Sequence, residues 1–200
     1  MKNIFITQGI YKDVRNNFYS KIYLEWFKYA KKLKFNLYPI PINSDLSFFK
    51  KFKADGVIFS GGNDIYKISK KRENYLRDEF EKKLIKYIIL NNIPSLFVCR
   101  GMQLLCSINK IKLNRTNKHV TKNQKIILNN NKSLIVNSYH NYIIKKKPKN
   151  FIITAKHPSD NSIEILSSKK YKILCFMFHP ERKSKSQKSI DKMFKTFFKL

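Results

Sequence analysis

Four short apolar runs punctuate the first hundred residues, and helix-length stretches separate them. The runs are Asn3–Thr7, 36–39, Gly56–Phe59 and Ser95–Val98, each brief and each bounded by polar or turn-forming residues. Residues 20–34 set Ile22, Trp26, Tyr29, Ala30 and Leu33 on one helical face, and residues 73–91 do the same with Leu76, Phe80, Leu84, Tyr87 and Ile88. Asn91-Asn92, with Pro94 just beyond, ends the longer helix. A further short helix is expected over 46–52, capped by Ser44 or Asp45. Parallel strands need long crossovers, and helices supply them on both faces of a sheet. The expected fold class is therefore α/β, with a mostly parallel central sheet flanked by helices.

After Lys110 the pattern changes. Residues 124–128, 134–137, 151–156, 163–167 and 173–178 are strand-like and separated by turns rich in Asn and Lys, so the C-terminal half is expected to add strands. An amphipathic helix over 189–199, carrying Ile190, Met193, Phe194 and Phe197, closes the chain. Residues 145–149 read as a solvated basic loop. No repeat or linker divides the sequence, so residues 1–200 are expected to form a single domain.

Forty-two basic residues face 13 acidic ones, a formal net charge of +29. Such a balance suits a polyanion partner, but the lysines run from Lys2 to Lys199 instead of gathering in one arm. The abundance of Lys, Asn and Ile also fits drift in an AT-rich genome. No nucleic-acid partner is expected on charge alone, whereas a phosphate-bearing small substrate is compatible with it. The apolar runs are too short to span a bilayer, and the N-terminal run is too brief for a signal peptide. Three cysteines without paired spacing, Cys99, Cys106 and Cys175, fit reduced thiols, and a cytoplasmic protein without membrane attachment is expected.

Two of the strand ends carry unusual punctuation. Phe59 leads into Ser60-Gly61-Gly62, and Val98 leads into Cys99-Arg100-Gly101. A thiol on a strand-to-helix turn projects from the sheet edge, and a helix N-terminus behind it favours a thiolate. A glycine turn lets backbone N–H groups approach an oxyanion. Taken alone, Cys99 reads as a buried structural cysteine before it reads as a nucleophile. Cys106 and Cys175 lack turn punctuation and read as core. His119, His140 and His157 each read as ordinary surface or core histidines. His179 stands apart because Pro180 links it to Glu181, and residues two apart in an extended segment face the same side. A carboxylate can then orient the imidazole and stabilise its charged form. The histidines and cysteines show no metal-ligand spacing, so neither a metal nor a cofactor is expected.

Taken together, five strings resemble the class I glutamine amidotransferases, and within them the γ-glutamyl amide hydrolase branch, peptidase family C26. They are residues 56–64, 77–81, 93–105, 136–140 and 178–182, in the family's order. The resemblance implies a flavodoxin-like amidotransferase fold. It also implies that Cys99 attacks a γ-glutamyl amide, His179 serves as base and acid, and Glu181 holds His179. Backbone N–H groups of Gly62 and Arg100 form the implied oxyanion hole. Gln103, Ser138, Tyr139 and His140 form the implied substrate wall, with Ser138 and Tyr139 contributing backbone contacts. The small-molecule substrate is a γ-glutamyl amide, and its leaving group is compatible with a nucleotide diphosphate. Arg115, His119 and Arg182 are the residues expected near that end. In an alternative reading the chain is a glutaminase that hands ammonia to a separate synthase partner. One departure concerns Phe97, where the family usually has glycine two residues before the cysteine.

Overall fold

The computed structural model describes residues 1–42, 44–168 and 170–200. The first half runs β1 (Asn3–Thr7), β2 (Gly9–Lys12), β3 (Phe18–Lys21), α1 (Leu24–Leu33), β4 (Asn36–Ile40), α2 (Phe48–Lys51), β5 (Gly56–Phe59), α3 (Tyr66–Ser69), α4 (Arg72–Leu90), β6 (Ser95–Val98) and α5 (Arg100–Ile108). The second half runs β7 (Leu113–Arg115), β8 (Val120–Leu128), β9 (Ser133–Tyr139), β10 (Tyr142–Ile144), β11 (Ile152–Lys156), β12 (Ile163–Ser168), β13 (Ile173–Phe176) and α6 (Gln187–Phe198).

A nine-stranded sheet in the order β4-β1-β5-β6-β13-β12-β11-β8-β9 organises these elements. The five strands from β4 to β13 are mutually parallel. The four that follow pair antiparallel. Helical crossovers in the first half and short turns in the second account for that split. The parallel set is completed by β13, which enters between β6 and the antiparallel extension late in the chain.

The side-chain alternation of the strands sorts the core into two layers. Ile4, Ile6, Leu96, Val98 and Phe176 face α1 and α6, packing with Trp26, Leu33 and Phe194. Phe5, Val57, Phe59, Phe97 and Cys175 face α4 and α5, packing with Phe80, Leu84 and Met102. Both layers are apolar because parallel strands covered on two faces have no solvent side. Among the described residues, no helix is long and apolar enough to cross a membrane.

The helix expected over 20–34 begins only at Leu24. Residues 18–21 instead form β3, paired with β2 across a turn in which the Asp13 carboxylate accepts the N–H groups of Arg15 and Asn17, both at 2.8 Å. Asn16 takes the left-handed conformation there, at φ 67°. An Asx turn of this kind outcompetes the first helical turn that periodicity alone suggests. Sequence reading also missed the small β7–β10 pair and the single-turn α3, each too short to show a period.

Candidate active site

Adjacent parallel strands share a carboxyl edge, so β5, β6 and β13 deliver Ser60-Gly61-Gly62, Cys99 and His179 to one place. Cys99 sits at φ 48°, ψ −101°, a conformation that is costly for any residue with a side chain. Its own N–H donates to Phe176 O at 2.7 Å, and its carbonyl accepts the Gln103 N–H at 3.0 Å. One bond ties the cysteine to β13 and the other begins α5, so the strained turn is held from both sides. Helix α5 starts at Arg100 with no side-chain cap, which leaves its first N–H groups without a side-chain acceptor next to Cys99.

Gly61 is the close approach that completes this edge. A Cβ there would stand 2.4 Å from Cε1 of the His179 ring. Gly62 follows at φ 128° and lines the same cavity as Cys99.

Phe97 does not disturb the elbow. Its ring is fully buried and stacks on Phe59 with centroids 4.2 Å apart and planes 5° from parallel. It points into the layer beneath the sheet, away from the thiol. The tight spot lies instead at Gly101, where a Cβ would meet Phe59 O at 2.5 Å. The space that a glycine two residues before the nucleophile could relieve is thus left by the glycine two residues after it.

Four buried charges lock the nucleophile side. Arg100 pairs with Asp78 and Glu81, and Arg77 Nε donates to Glu81 Oε1 at 2.9 Å. The Arg77 guanidinium also donates to Ser60 O at 2.8 Å and to Gly61 O at 3.1 Å. Both carbonyls of the loop are thereby engaged from α4. Burial pushes the Glu81 carboxyl up, but the charges of Arg100 and Arg77 outweigh it and hold the group below its ordinary range. Sequence reading recognised the string 77–81 only by resemblance. Its charges at i and i+4 on a helix face otherwise pass for a solvated pair.

The histidine side is held differently. His179 Nδ1 bonds Glu181 Oε1 at 2.7 Å, so the ring is oriented as the two-residue spacing predicts. Buried Asn137 of β9 donates from Nδ2 to His179 O at 2.7 Å and accepts the His179 N–H on Oδ1 at 3.0 Å. It reaches Arg182 O as well, at 3.1 Å. Burial works to lower the His179 pKa. The Glu181 charge, hydrogen bonding to Cys99 and Glu181, and the Cys99 charge outweigh it and lift the value to about 10. An imidazolium beside the thiol is the electrostatic condition for a thiolate. Cys106, by contrast, is pushed up to about 12 by burial, and Cys175 is also raised, so both are inert core thiols.

A cavity of about 380 Å³ opens over Cys99. Gln103, Tyr139, His140, Asn63 and Lys71 are among the residues that line it. Gln103 donates to Tyr142 O at 3.3 Å. Ser138 lies one layer behind this wall, where its hydroxyl donates to His119 O at 2.6 Å. His119 is fully buried and cannot meet the far end of a substrate, which corrects the expectation for it. Arg115 lies exposed on β7, and Arg182 is stacked between Tyr23 and Tyr139, at 5.0 and 4.9 Å from their rings. Lys71 brings a long-chain cation to the cavity, with the N-terminus of α4 directly after it. Sequence reading missed it because one lysine among many carries no signal.

Behind the substrate wall, His119, His140, His157, Asp160 and Glu164 converge. Their sequence spacing follows no ligand pattern, so only folding reveals the cluster.

The sequence matches the glutamine amidotransferase class-I family over residues 14–200, and the chain belongs to that family. It is an amide-hydrolysing enzyme. A γ-glutamyl-CDP-amidate hydrolase from Campylobacter jejuni subsp. jejuni serotype O:2 is 30% identical over 163 residues, covering 80% of each chain. A glutamine-hydrolysing GMP synthase from Brachyspira hyodysenteriae is 27% identical over 150 residues, which are 70% of this chain but 27% of that longer protein. Among solved structures, a putative GMP synthase subunit protein from Thermoplasma acidophilum superposes with a TM-score of 0.74 at 18% identity, over 100% of this chain and 93% of the other. A glutamine amidotransferase from Thermotoga maritima superposes at 0.66 and 14% identity, over 99% of this chain and 84% of the other. At such identities the two structures speak for the fold.

Proposed function

We propose that this chain hydrolyses a γ-glutamyl amide through a Cys99-His179-Glu181 triad and a γ-glutamyl thioester. Its substrate in this reading is γ-glutamyl-CDP-amidate, which yields glutamate and CDP-amidate for capsule modification. The Cys99 sulfur attacks the amide carbon, and the carbonyl electron pair moves onto oxygen. That oxyanion is received by the N–H groups of Gly62 and Arg100. His179 gives its proton to the leaving nitrogen as the C–N bond breaks. Water then adds to the thioester, His179 takes one of its protons, and the thiolate departs to leave glutamate. Gln103, Tyr139 and the backbone of His140 hold the glutamyl end, with Ser138 bracing them from behind. No step calls on a cofactor.

The observation that carries the substrate assignment is the relative that matches 80% of both chains. Lys71 and the α4 N-terminus at the cavity support it, because cations and helix N-termini suit a diphosphate. The test is glutamate release by the purified chain from γ-glutamyl-CDP-amidate and from glutamine. The expected result is much faster release from the nucleotide-linked amide, and equal or better turnover of glutamine rejects the assignment.

The GMP synthase match favours a second reading, because it covers only about a quarter of that enzyme. In it the chain is a glutaminase that delivers ammonia to a separate synthase. Glutamine hydrolysis that appears only in a complex recovered with a synthase supports this reading, and full-rate hydrolysis by the isolated chain counts against it.

A further inference from the structure

The cluster behind the cavity wall sets buried lone pairs against one another. His140 Nδ1 lies 3.1 Å from Tyr142 O. A carbonyl only accepts, so Nδ1 carries the hydrogen and Nε2 of the neutral ring is a bare lone pair. That lone pair faces Glu164 Oε1 at 3.9 Å, acceptor against acceptor, with both residues almost wholly buried. His119 repeats the arrangement. With Nε2 2.9 Å from Asp160 Oδ2 and donating to it, the neutral ring has a bare Nδ1, 3.4 Å from the same Glu164 oxygen. The Ser162 hydroxyl reaches Glu164 Oε1 only at 3.4 Å. His119 Nδ1, His140 Nε2 and Glu164 Oε2 make no hydrogen bond at all. Buried ring lone pairs of two neutral histidines facing one carboxylate are a costly arrangement unless a cation lies among them, either a proton on His119 or a metal ion.

We propose that His119, His140 and Glu164 bind a zinc ion through His119 Nδ1, His140 Nε2 and the Glu164 carboxylate. One ligand atom from each residue lies within 4.8 Å of the other two. Tetrahedral zinc with bonds of about 2.0–2.2 Å places its ligands about 3.3 Å apart, so the 3.4 Å edge fits as it stands, while the 3.9 Å edge and the His119–His140 edge, within 4.8 Å, would close inward on binding. Two histidines and a glutamate form a zinc donor set that keeps a fourth position for water. Each histidine also has the outer partner that fixes a ligand tautomer, Asp160 for His119 and the Tyr142 carbonyl for His140. The Asp160 carboxylate is itself held, accepting the Ser162 N–H at 2.9 Å.

The three ligands come from the segment before β8, the β9–β10 turn and the start of β12. Zinc would therefore tie together three segments that backbone pairing joins only in part. Tyr139, His140 and Asn141 of the turn line the cavity. The ion's part is to hold that wall in place, and it takes no part in attack on the amide. The proposal does not depend on which amide is the substrate.

Elemental analysis of the purified full-length chain is expected to find stoichiometric zinc that survives desalting. Stripping with a chelator should lower the melting temperature by several degrees, and added Zn²⁺ should restore it. Glu164→Gln should abolish retention. Asp160→Asn, at a partly exposed site, should weaken Zn²⁺ affinity about 10–100-fold. Cobalt substitution of the wild type gives an independent reading. A tetrahedral Co²⁺ spectrum without a thiolate charge-transfer band, unchanged in Cys99→Ser, supports the site. A thiolate band that vanishes in Cys99→Ser would move the metal to the nucleophile and overturn the proposal. So would chain that retains no zinc and shows no thermal response to added Zn²⁺. The cluster would then be held by a proton on His119 between Glu164 and Asp160.

Discussion

The two sides of the cavity are braced by opposite chemistry. The nucleophile side rests on Arg77, Asp78, Glu81 and Arg100, two cations and two anions buried together and paired with one another. The base side rests on a neutral amide, Asn137, which holds the His179 and Arg182 backbone. The contrast follows from what each side must do. The Cys99 elbow is strained and must not relax, so it is surrounded by interactions that are expensive to break. In the proposed mechanism His179 changes its protonation during turnover. A neutral clamp fixes its backbone without setting its charge, which is left to Glu181 and Cys99.

The comparison can be broken in order of expected effect. Cys99→Ala removes the reacting atom and is expected to lower kcat on the order of 10⁴–10⁶-fold while leaving the melting temperature near wild type. Wild-type turnover in that variant, measured as glutamate release, would end the mechanism.

Glu181→Gln keeps the shape of the base side but removes its charge, and a rate loss of about 10²–10⁴-fold is expected. The sign of the pH effect follows from the raised His179 pKa. Protonated His179 persists until the pH approaches about 10, so the alkaline limb of kcat/KM should lie near there, not near the ordinary 6.5. The same shift contributes stability that is fully present below about 6.5 and is lost as pH rises towards about 10. In Glu181→Gln the alkaline limb should move down, and an unmoved limb would show that Glu181 does not set the charge of His179.

On the nucleophile side, Arg77→Met leaves Glu81 under-compensated and frees the Ser60 and Gly61 carbonyls, at an expected cost of about 3–5 kcal/mol in a denaturant melt. Asn137→Ala should cost less, about 1–3 kcal/mol, since the groups it strands are neutral. If the two losses proved equal, the distinction between a charged brace and a neutral one would fail.

Legibility in the sequence divides along the same line. The elbow was visible because Val98-Cys99-Arg100-Gly101 compresses a strand end, a nucleophile and a helix start into neighbouring positions. His179 and Glu181 were visible because alternation along an extended segment puts them on one side. Arg77, Asp78 and Glu81 carried no such mark, since charges spaced along a helix face usually signal solvent. Asn137 was hidden for a similar reason, as its partners lie more than forty residues downstream. The end of β3, residues 20–21, was read as the start of a helix because a local Asx turn outweighed periodicity.

By itself, then, the sequence determined what short-range physics controls: the alternation of strand and helix, the strained turn at Cys99, the coupling of His179 to Glu181 and the family to which the chain belongs. The tertiary structure decided what depends on segments distant in sequence. It stacked Phe97 on Phe59 and placed the tight contact of the elbow at Gly101. It buried a balanced set of four charges under the Ser60-Gly61-Gly62 loop, and it gathered three histidines and two carboxylates behind the cavity wall. The physical reason is that desolvation and convergence of polar groups arise only when the chain closes on itself, and no window of neighbouring residues contains them.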